Sequence, residues 1–469
     1  MGIARIYQCS RATPGLCTGT ASDPQPQLVD SQSVTLTEQA AAIVVPNVVA
    51  ADTVTLASDT GSVTVAGGGG NADPTLLPIA SGQGGNSGAY TAFGVPSMVA
   101  GGFYDDPVTS VTVYKVTATA QEPGVTVMVP PYAEFGPHIS LPWLNALGET
   151  CYTVSTLGEF GNGRFVDLNY TLMLAKGGTP AQRVFNYRNG PAPTSQLRTA
   201  FSYNLGTPRI CYYLGGTTLN RYNTETNTDA NTGNFPRAGM GDTQLHNDIN
   251  DRWFASRINA TGICYTWDSV NNVLHNWGAI NDEIHMSRAG VYVWALNSTS
   301  DYRQGVLADG PPWSDVFPPA FENSHCAQPT TGFLVGPDPS TGPGPTLHYW
   351  DPDTSTWPAL GSAGEGCWAH GAGQWHYDNP GGTATWVVSS SYSAGGCPNL
   401  ADAIGYYRLN DTNLSLVRLL CHHYSSAIDY FAQPHATPSP DGKLVMFGSD
   451  MLGADGGNIR SFVALVPTS

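Results

Sequence analysis

The chain is poor in charge. Only 12% of its 469 residues are Asp, Glu, Lys or Arg, and just three are lysines, Lys115, Lys176 and Lys443. Acidic residues outnumber basic ones 36 to 19, for a formal charge of −17. A surface of that sign repels phosphate backbones, so nucleic acid is excluded as a natural partner. No apolar run approaches the length that spans a bilayer, so the chain is not expected to be membrane-spanning. Met1–Ser10, MGIARIYQCS, lacks the apolar core of a secretory signal. Also missing are G-x-S-x-G, a P-loop, the dinucleotide-binding glycine pattern, H-E-x-x-H and an EF-hand loop. Serine hydrolase, nucleotide-dependent and zincin chemistries therefore have no support. The nine cysteines form neither C-x-x-C nor a zinc spacing. Cys9 with Cys17, and Cys367 with Cys397, could close small loops; Cys151, Cys211 and Cys264 sit at strand centres and read as small buried hydrophobes.

What is present is turn chemistry and short strands. The chain holds 54 glycines and 35 prolines, and no segment shows a sustained helical period, so an all-β fold is expected. Residues 1–98 differ from the rest, with no tryptophan or histidine and with glycine runs at 67–70 and 82–88. Two alternating stretches there, SVTLTEQAAAIVV and DTVTLASDTGSVTVAG, read as half-buried strands, so this segment is a small β unit or an extended arm. Such an arm could join copies of the chain into a homo-oligomer. The lysine-poor composition, rich in Asn, Thr and Gly, suits an extracellular, periplasmic or virion setting.

From about residue 100 a repeat emerges with a period of roughly 40 to 65 residues, the range of propeller blades with variable loops. Inner strands are expected to begin at His138, near Arg198, and at His246, His285, His325, His370 and His435. That makes seven. Third strands end in turns such as TLNRYNTETNT, CYTWDSVNNV and LHYWDPDTSTW. The last repeat, HATPSPDGKLVMFGSD followed by IRSFVALV, supplies three strands, and an open edge is a liability unless another segment covers it. VTVYKVT at 111–117 is the candidate. The expectation is a seven-bladed β-propeller over residues 99–469, closed by strand 111–117 pairing with the last blade.

The segment His435–Asp450 resembles the blade signature of TolB-type β-propellers, in which a His-containing inner strand precedes S-P-D-G and a hydrophobic strand ending in S-D. Oligogalacturonate lyases are one enzyme branch with that architecture. The resemblance implies a divalent metal, manganese or calcium, held near the last blade by a Gln and closely spaced histidines. Here Gln433 and His435 match, with His422 and His423 shortly before. Only one His falls in the Q-x-H segment, where the family shows a second. A lyase also needs a base for the proton α to a uronate carboxylate and a cation for the enolate. His370 or His376 could be the base; Arg252 or Arg288 could neutralise the carboxylate.

The histidines recur at one point of successive blades. In that register they converge on one rim of the channel, where they either staple neighbouring blades or hold a ligand. Trp368, His370, Trp375 and His376 lie within nine residues, and aromatic faces stack on sugar rings. The ligand-binding set expected on this face is Trp368, Trp375, His246, His285 and His325. Trp253, Trp267 and Trp350 are expected to pack between blades and Trp313 to lie at the surface. Three functions follow: a surface propeller that binds glycan or another polar ligand, an assembly protein of a filament or virion that pairs through its N-terminal arm, and a metal-dependent polysaccharide lyase.

Overall fold

The hairpin turn between third and fourth strands shows how this sequence builds its sheets. Thr218–Asn223 (β10) turns into Thr228–Asn231 (β11), and Ile263–Asp268 (β14) turns into Val273–Ala279 (β15). In the first, the Asn223 side chain accepts the backbone N–H of Glu225 and Thr226; in the second, Asp268 accepts those of Val270 and Asn271. Four residues on, Asn227 and Asn272 both take a left-handed φ of 54°. Their side-chain oxygens receive Tyr222 Oη at 2.9 Å and Trp267 Nε1 at 3.2 Å. An aromatic residue, an Asx, three residues and a left-handed Asn thus recur as one device, with Asn tolerating the conformation that β-branched residues avoid.

The structure, a computed structural model, describes residues 94–118, 149–156, 162–169, 206–215, 218–231, 245–258, 261–280, 284–287, 289–296, 302–313, 403–408, 418–426, 444–453 and 458–467, with shorter runs between them and at 77–78. Regular structure among them is strand, with two short 3-10 turns at Val95–Ser97 and Met451–Gly453 and a helical turn at 172–173. The described strands form seven antiparallel sheets of four or five strands. All lie in one unit, residues 76–375 and 383–467; a second unit of residues 1–75, 376–382 and 468–469 lies outside the described residues.

The sheets follow one another along the chain. The first begins at Val127–Val129 (β4), not at His138, which lies outside the described residues; VTVMV is the apolar run that forms the strand. Later first strands are Thr199–Phe201 (β8), Leu245–Asn247 (β12), Ile284–Met286 (β16), Cys326–Ala327 (β20), Ala372–Gly373 (β24) and Thr437–Pro438 (β28). First strands of neighbouring sheets touch: β8 with β12, β12 with β16, β20 with β24, and β24 with β28. The last sheet touches β4. The last sheet thus lies against the first.

Closure is made by an early strand. Thr112–Lys115 (β3) pairs with Arg460–Leu465 (β30), Tyr114 opposite Val463 and Lys115 opposite Phe462. Phe103–Asp105 (β2) adds a fifth strand outside it, and Leu77–Pro78 (β1) does the same for the sheet before, pairing with Arg418–His422 (β27). Leu444–Ser449 (β29), between β28 and β30, is buried along its whole length. Tyr114, Val116, Leu444, Met446 and Val463 of the last sheet pack with Val166, Leu168 and Met173 of the first, so one apolar cluster seals the join. Tyr114 Oη donates to the Met173 carbonyl within it. Similar clusters lie between the second and third sheets, around Leu245, Phe254 and Trp267, and between the third and fourth, around Trp253, Trp277, Ile284 and Met286.

Trp253 and Trp267 are therefore inter-sheet packing, and the thiols of Cys211 and Cys264 are buried as small hydrophobes. Trp313 departs from its expected surface position. It is half-buried, lies tilted against Trp277 at 4.7 Å between centroids and packs against the cluster between the third and fourth sheets. The cis bond Pro311–Pro312 lies just before it. Trp350 has no described side-chain environment.

Candidate functional site

Chain direction divides the described functional groups between two ends of the sheets. First strands begin, and fourth strands finish, at the end where the chain crosses between sheets. The other end carries the turns that join first to second and third to fourth strands.

At the crossing end, His246 and His285 come from adjacent first strands, and their rings meet edge to face with centroids 5.6 Å apart. Both are buried, not displayed on an open rim. Burial lowers the His246 pKa to about 3, a hydrogen bond to the Ile284 backbone opposing it, so the ring is neutral at ordinary pH. His246 Nε2 is buried with no hydrogen-bond partner among the described residues. The pair joins two sheets.

His422 finishes β27 at the same end, His423 follows it, and both are fully buried. His422 reaches across to the last sheet. Asp106, in the turn between β2 and β3, takes the His422 backbone N–H at 2.8 Å and faces its Nδ1 at 3.0 Å. The other Asp106 oxygen accepts the N–H groups of Val108 and Thr109. Burial alone would raise the Asp106 pKa, but the hydrogen bonds and charge of His422 hold it below the usual value. His423 Nδ1 accepts the N–H of Ser425 at 3.0 Å. Around this pair, burial pushes the Tyr104 hydroxyl and the Cys421 thiol up, and both stay protonated. Gln433, His435, His325, His370, His376, Trp368, Trp375 and Arg288 lie outside the residues whose side chains are described.

At the turn end stand two buried carboxyls and two arginines in equivalent places. Asp251, at left-handed φ 55°, accepts Ser202 Oγ at 2.6 Å, Thr207 Oγ1 at 2.8 Å, Tyr212 Oη at 3.1 Å and Asn247 Nδ2 at 3.0 Å. It pins the second sheet to the third. Asp248 accepts the backbone N–H groups of Arg252 and Trp253 and lies against Gly290 of the fourth sheet, where a Cβ would meet its carboxylate. Burial raises its pKa to about 7.

Arg252 and Arg209 each precede a second strand. Arg252 forms a two-point pair with Asp268, Nε to Oδ1 at 3.1 Å and Nη2 to Oδ2 at 2.7 Å, and lies 5.4 Å over the Trp253 ring. Its charge is matched within its own sheet, which removes the reason for assigning it a substrate carboxylate. Arg209 instead crosses to the first sheet. It grips Glu149 through Nε and Nη2, both at 3.0 Å, and reaches Glu225 at 3.1 Å. The hydrogen bonds and charges of the two glutamates raise its pKa.

Between these groups lies a groove of about 470 Å³ at the seam of the first and second sheets. Its walls are polar: Glu149, Thr150 and Asp167 on one side, Arg209, Thr224 and Glu225 on the other. Thr150 Oγ1 donates to Asp167 at 3.0 Å, and the 223–228 turn delivers Glu225, because Thr224 bonds the Arg209 carbonyl twice. The volume falls among those typical of small-ligand sites, roughly 300 to 1,000 Å³. None of these residues stands out in the sequence. The available signal is the TLNRYNTETNT turn, which marks where a third strand ends and so where Glu225 must project.

No family model matches the chain, and no curated protein matches it by sequence. Among solved structures, an oligogalacturonate lyase in complex with manganese superposes with a TM-score of 0.52 at 14% identity, covering 84% of this chain and 98% of that one. The fold is propeller-like. A second oligogalacturonate lyase, from Vibrio parahaemolyticus, aligns at TM-score 0.49 and 12% identity, over 78% of this chain and 96% of that one. At these identities the likeness concerns the propeller-like fold alone. The manganese belongs to the first of those proteins. Of the residues that could hold such an ion here, His422 and His423 do not fit: each Nδ1 is engaged, and both rings are shut in among neighbouring side chains. Among the described residues no group of three or more His, Cys, Asp or Glu is placed to hold a metal.

Proposed function

We propose that this chain is a seven-bladed propeller, residues 99–469, that binds a hydroxyl-rich ligand of the glycan class in the groove between its first two sheets. The observation that supports it is the lining. Carboxylates accept hydrogen bonds from sugar hydroxyls, threonines can donate or accept, and an arginine clamped at three points keeps its shape when ligand arrives. Such preorganisation limits the entropy that binding must overcome. The lyase reading has less behind it. It needs a metal near the last blade and a cation for the uronate, and the described candidates for both, His422, His423 and Arg252, are occupied with neighbours.

The experiment is a glycan array probed with the full chain, with an Asp167→Asn, Glu225→Gln variant, and with a Trp368→Ala, Trp375→Ala variant. Binding that disappears in the groove variant supports the proposal. Binding lost in the tryptophan variant and kept in the groove variant moves the site to the Trp368–His376 segment. An array without signal, together with unsaturated product released from oligogalacturonate in the presence of manganese, replaces the binding reading with the lyase.

A further inference from the structure

Asp248 and Ser287 occupy the same place in neighbouring sheets. Each follows the first strand of its sheet, β12 or β16, and its backbone N–H bonds the carbonyl that opens the second strand, Trp253 at 3.1 Å or Tyr292 at 2.9 Å. Each side chain then accepts the N–H groups four and five residues on. Asp248 Oδ1 takes Arg252 at 2.7 Å and Trp253 at 2.8 Å; Ser287 Oγ takes Val291 and Tyr292, both at 2.9 Å. One neutral oxygen is therefore enough to build this turn. The second oxygen of Asp248 brings an ionisable group that the turn does not require.

That oxygen is aimed at the next sheet. Gly290, at left-handed φ 69°, lies so close that a Cβ there would come within 2.9 Å of Asp248 Oδ2. Asp248 is 1% exposed, and among the described residues no cation pairs with it. Its own turn holds Asp251, a second buried carboxyl, and Arg252, whose charge Asp268 already matches. From the second sheet comes Tyr212, whose hydroxyl burial keeps protonated. The described side of the fourth sheet, Ser287 with Gly290 to Tyr292, carries no charge; the Arg288 side chain lies outside those described. Burial raises both carboxyls, and at Asp251 four side-chain donors oppose the rise. Asp248 has only backbone donors. A buried carboxyl without a cation and beside a like charge keeps its proton, and burial, with Asp251 adding to it, lifts this one to about 7.

We propose that Asp248 is a proton-operated clasp between the third and fourth sheets. Protonated, it packs a neutral oxygen against Gly290 and keeps the turn end of the seam shut. Ionised, it must be hydrated, and the 287–292 turn parts from it to admit water. The apolar cluster around Trp253, Trp277, Ile284 and Met286 holds the remainder of the seam, so the movement is confined to that end. An open carboxyl titrates near its ordinary 3.8 and the closed one near 7. Between those values closing takes up a proton, so opening becomes easier as pH rises, by at most about tenfold per pH unit. Above about 7 both forms are ionised and the dependence levels off. A chain passing from an acidic to a neutral medium thus loosens one seam while the other sheets keep their packing.

The test is hydrogen–deuterium exchange of the full chain from about pH 5 to about pH 8, expressed as protection factors so that the intrinsic pH dependence of exchange is removed. Protection of residues 248–253 and 287–292 is expected to fall by up to roughly tenfold per pH unit as far as about pH 7 and then to flatten. The buried strand Leu444–Ser449 of the last sheet should keep its protection throughout. Asp248→Ser, which copies the neutral oxygen of Ser287, and Asp248→Asn should both leave the turn protected and indifferent to pH. Seam protection that runs parallel to that of Leu444–Ser449 at every pH, or a loss shared equally by all sheets, would overturn the clasp. So would a pH dependence that survives in either variant. The first two outcomes are read on the unaltered chain, so they decide the matter even where a variant does not fold.

Discussion

His246 and Asp248 sit two residues apart and titrate in opposite senses. Burial holds His246 at about 3, below its ordinary 6.5. Between those values the unfolded chain takes up a proton that the folded chain refuses, so acidification costs stability. Burial lifts Asp248 from 3.8 to about 7. Through that window the unfolded chain gives up a proton that the folded chain keeps, so here stability is lost as pH rises. Each effect is on the order of 4 kcal/mol when fully expressed. The two slopes oppose one another between about pH 4 and pH 6.5. Relative to the unaltered chain, His246→Gln should therefore become less stable as pH climbs through that window, and Asp248→Asn less stable as pH drops through it. Urea midpoints measured across the range decide it; slopes of the same sign in both variants would contradict the assignment. Neither behaviour was legible in the sequence. A histidine at an inner strand reads equally well as ligand or as staple, and only burial against His285 separates the two.

Among the elements, β3 carries the most consequence for its length of four residues. It was legible because three closing strands and an unmatched apolar VTVYKVT implied one another. The turn device was legible too, since an aromatic residue followed by Asx and then Asn is a local signal that needs no tertiary context. The partner of His422 was not. Asp106 lies 316 residues away in sequence, and no spacing rule joins residues that only ring closure brings together. The first sheet was misplaced for a related reason: following histidines pointed to His138, while Val127–Val129 carries no polar marker. Tyr114→Pro should remove a ladder hydrogen bond and the link to Met173 at once. The expected outcome is an exposed edge at β30, seen as oligomers in size-exclusion chromatography where the unaltered chain shows fewer. A variant with an unchanged profile would show that β3 is dispensable for closure. Tyr114→Phe, which keeps the ring and loses only the hydroxyl, should cost about 1 kcal/mol.

For the whole molecule, charge is the property that reaches furthest. An excess of −17 along the chain repels itself, and that repulsion weakens when ions screen it. Thermal unfolding at neutral pH should therefore shift upward when sodium chloride is added to a dilute buffer; an unchanged or lower midpoint would mean that the acidic residues are already neutralised by neighbours such as Arg209 and Arg252. The all-β character and the excess of acid were visible from composition alone. The groove was invisible, because it belongs to no single strand: it exists where Arg209 of one sheet leans to Glu149 of another.

The pairing of β3 with β30 also sets a timetable for synthesis. Thr117, which accepts the N–H of Ser461, leaves the ribosome 344 residues ahead of it. Until then the β2–β3 hairpin must wait with one side of its ladder unmade, next to a nascent chain already able to fold sheet by sheet. The last sheet is thus completed late, and the interval before that is when a chaperone or a neighbouring nascent copy has its best opportunity to take the missing partner's place.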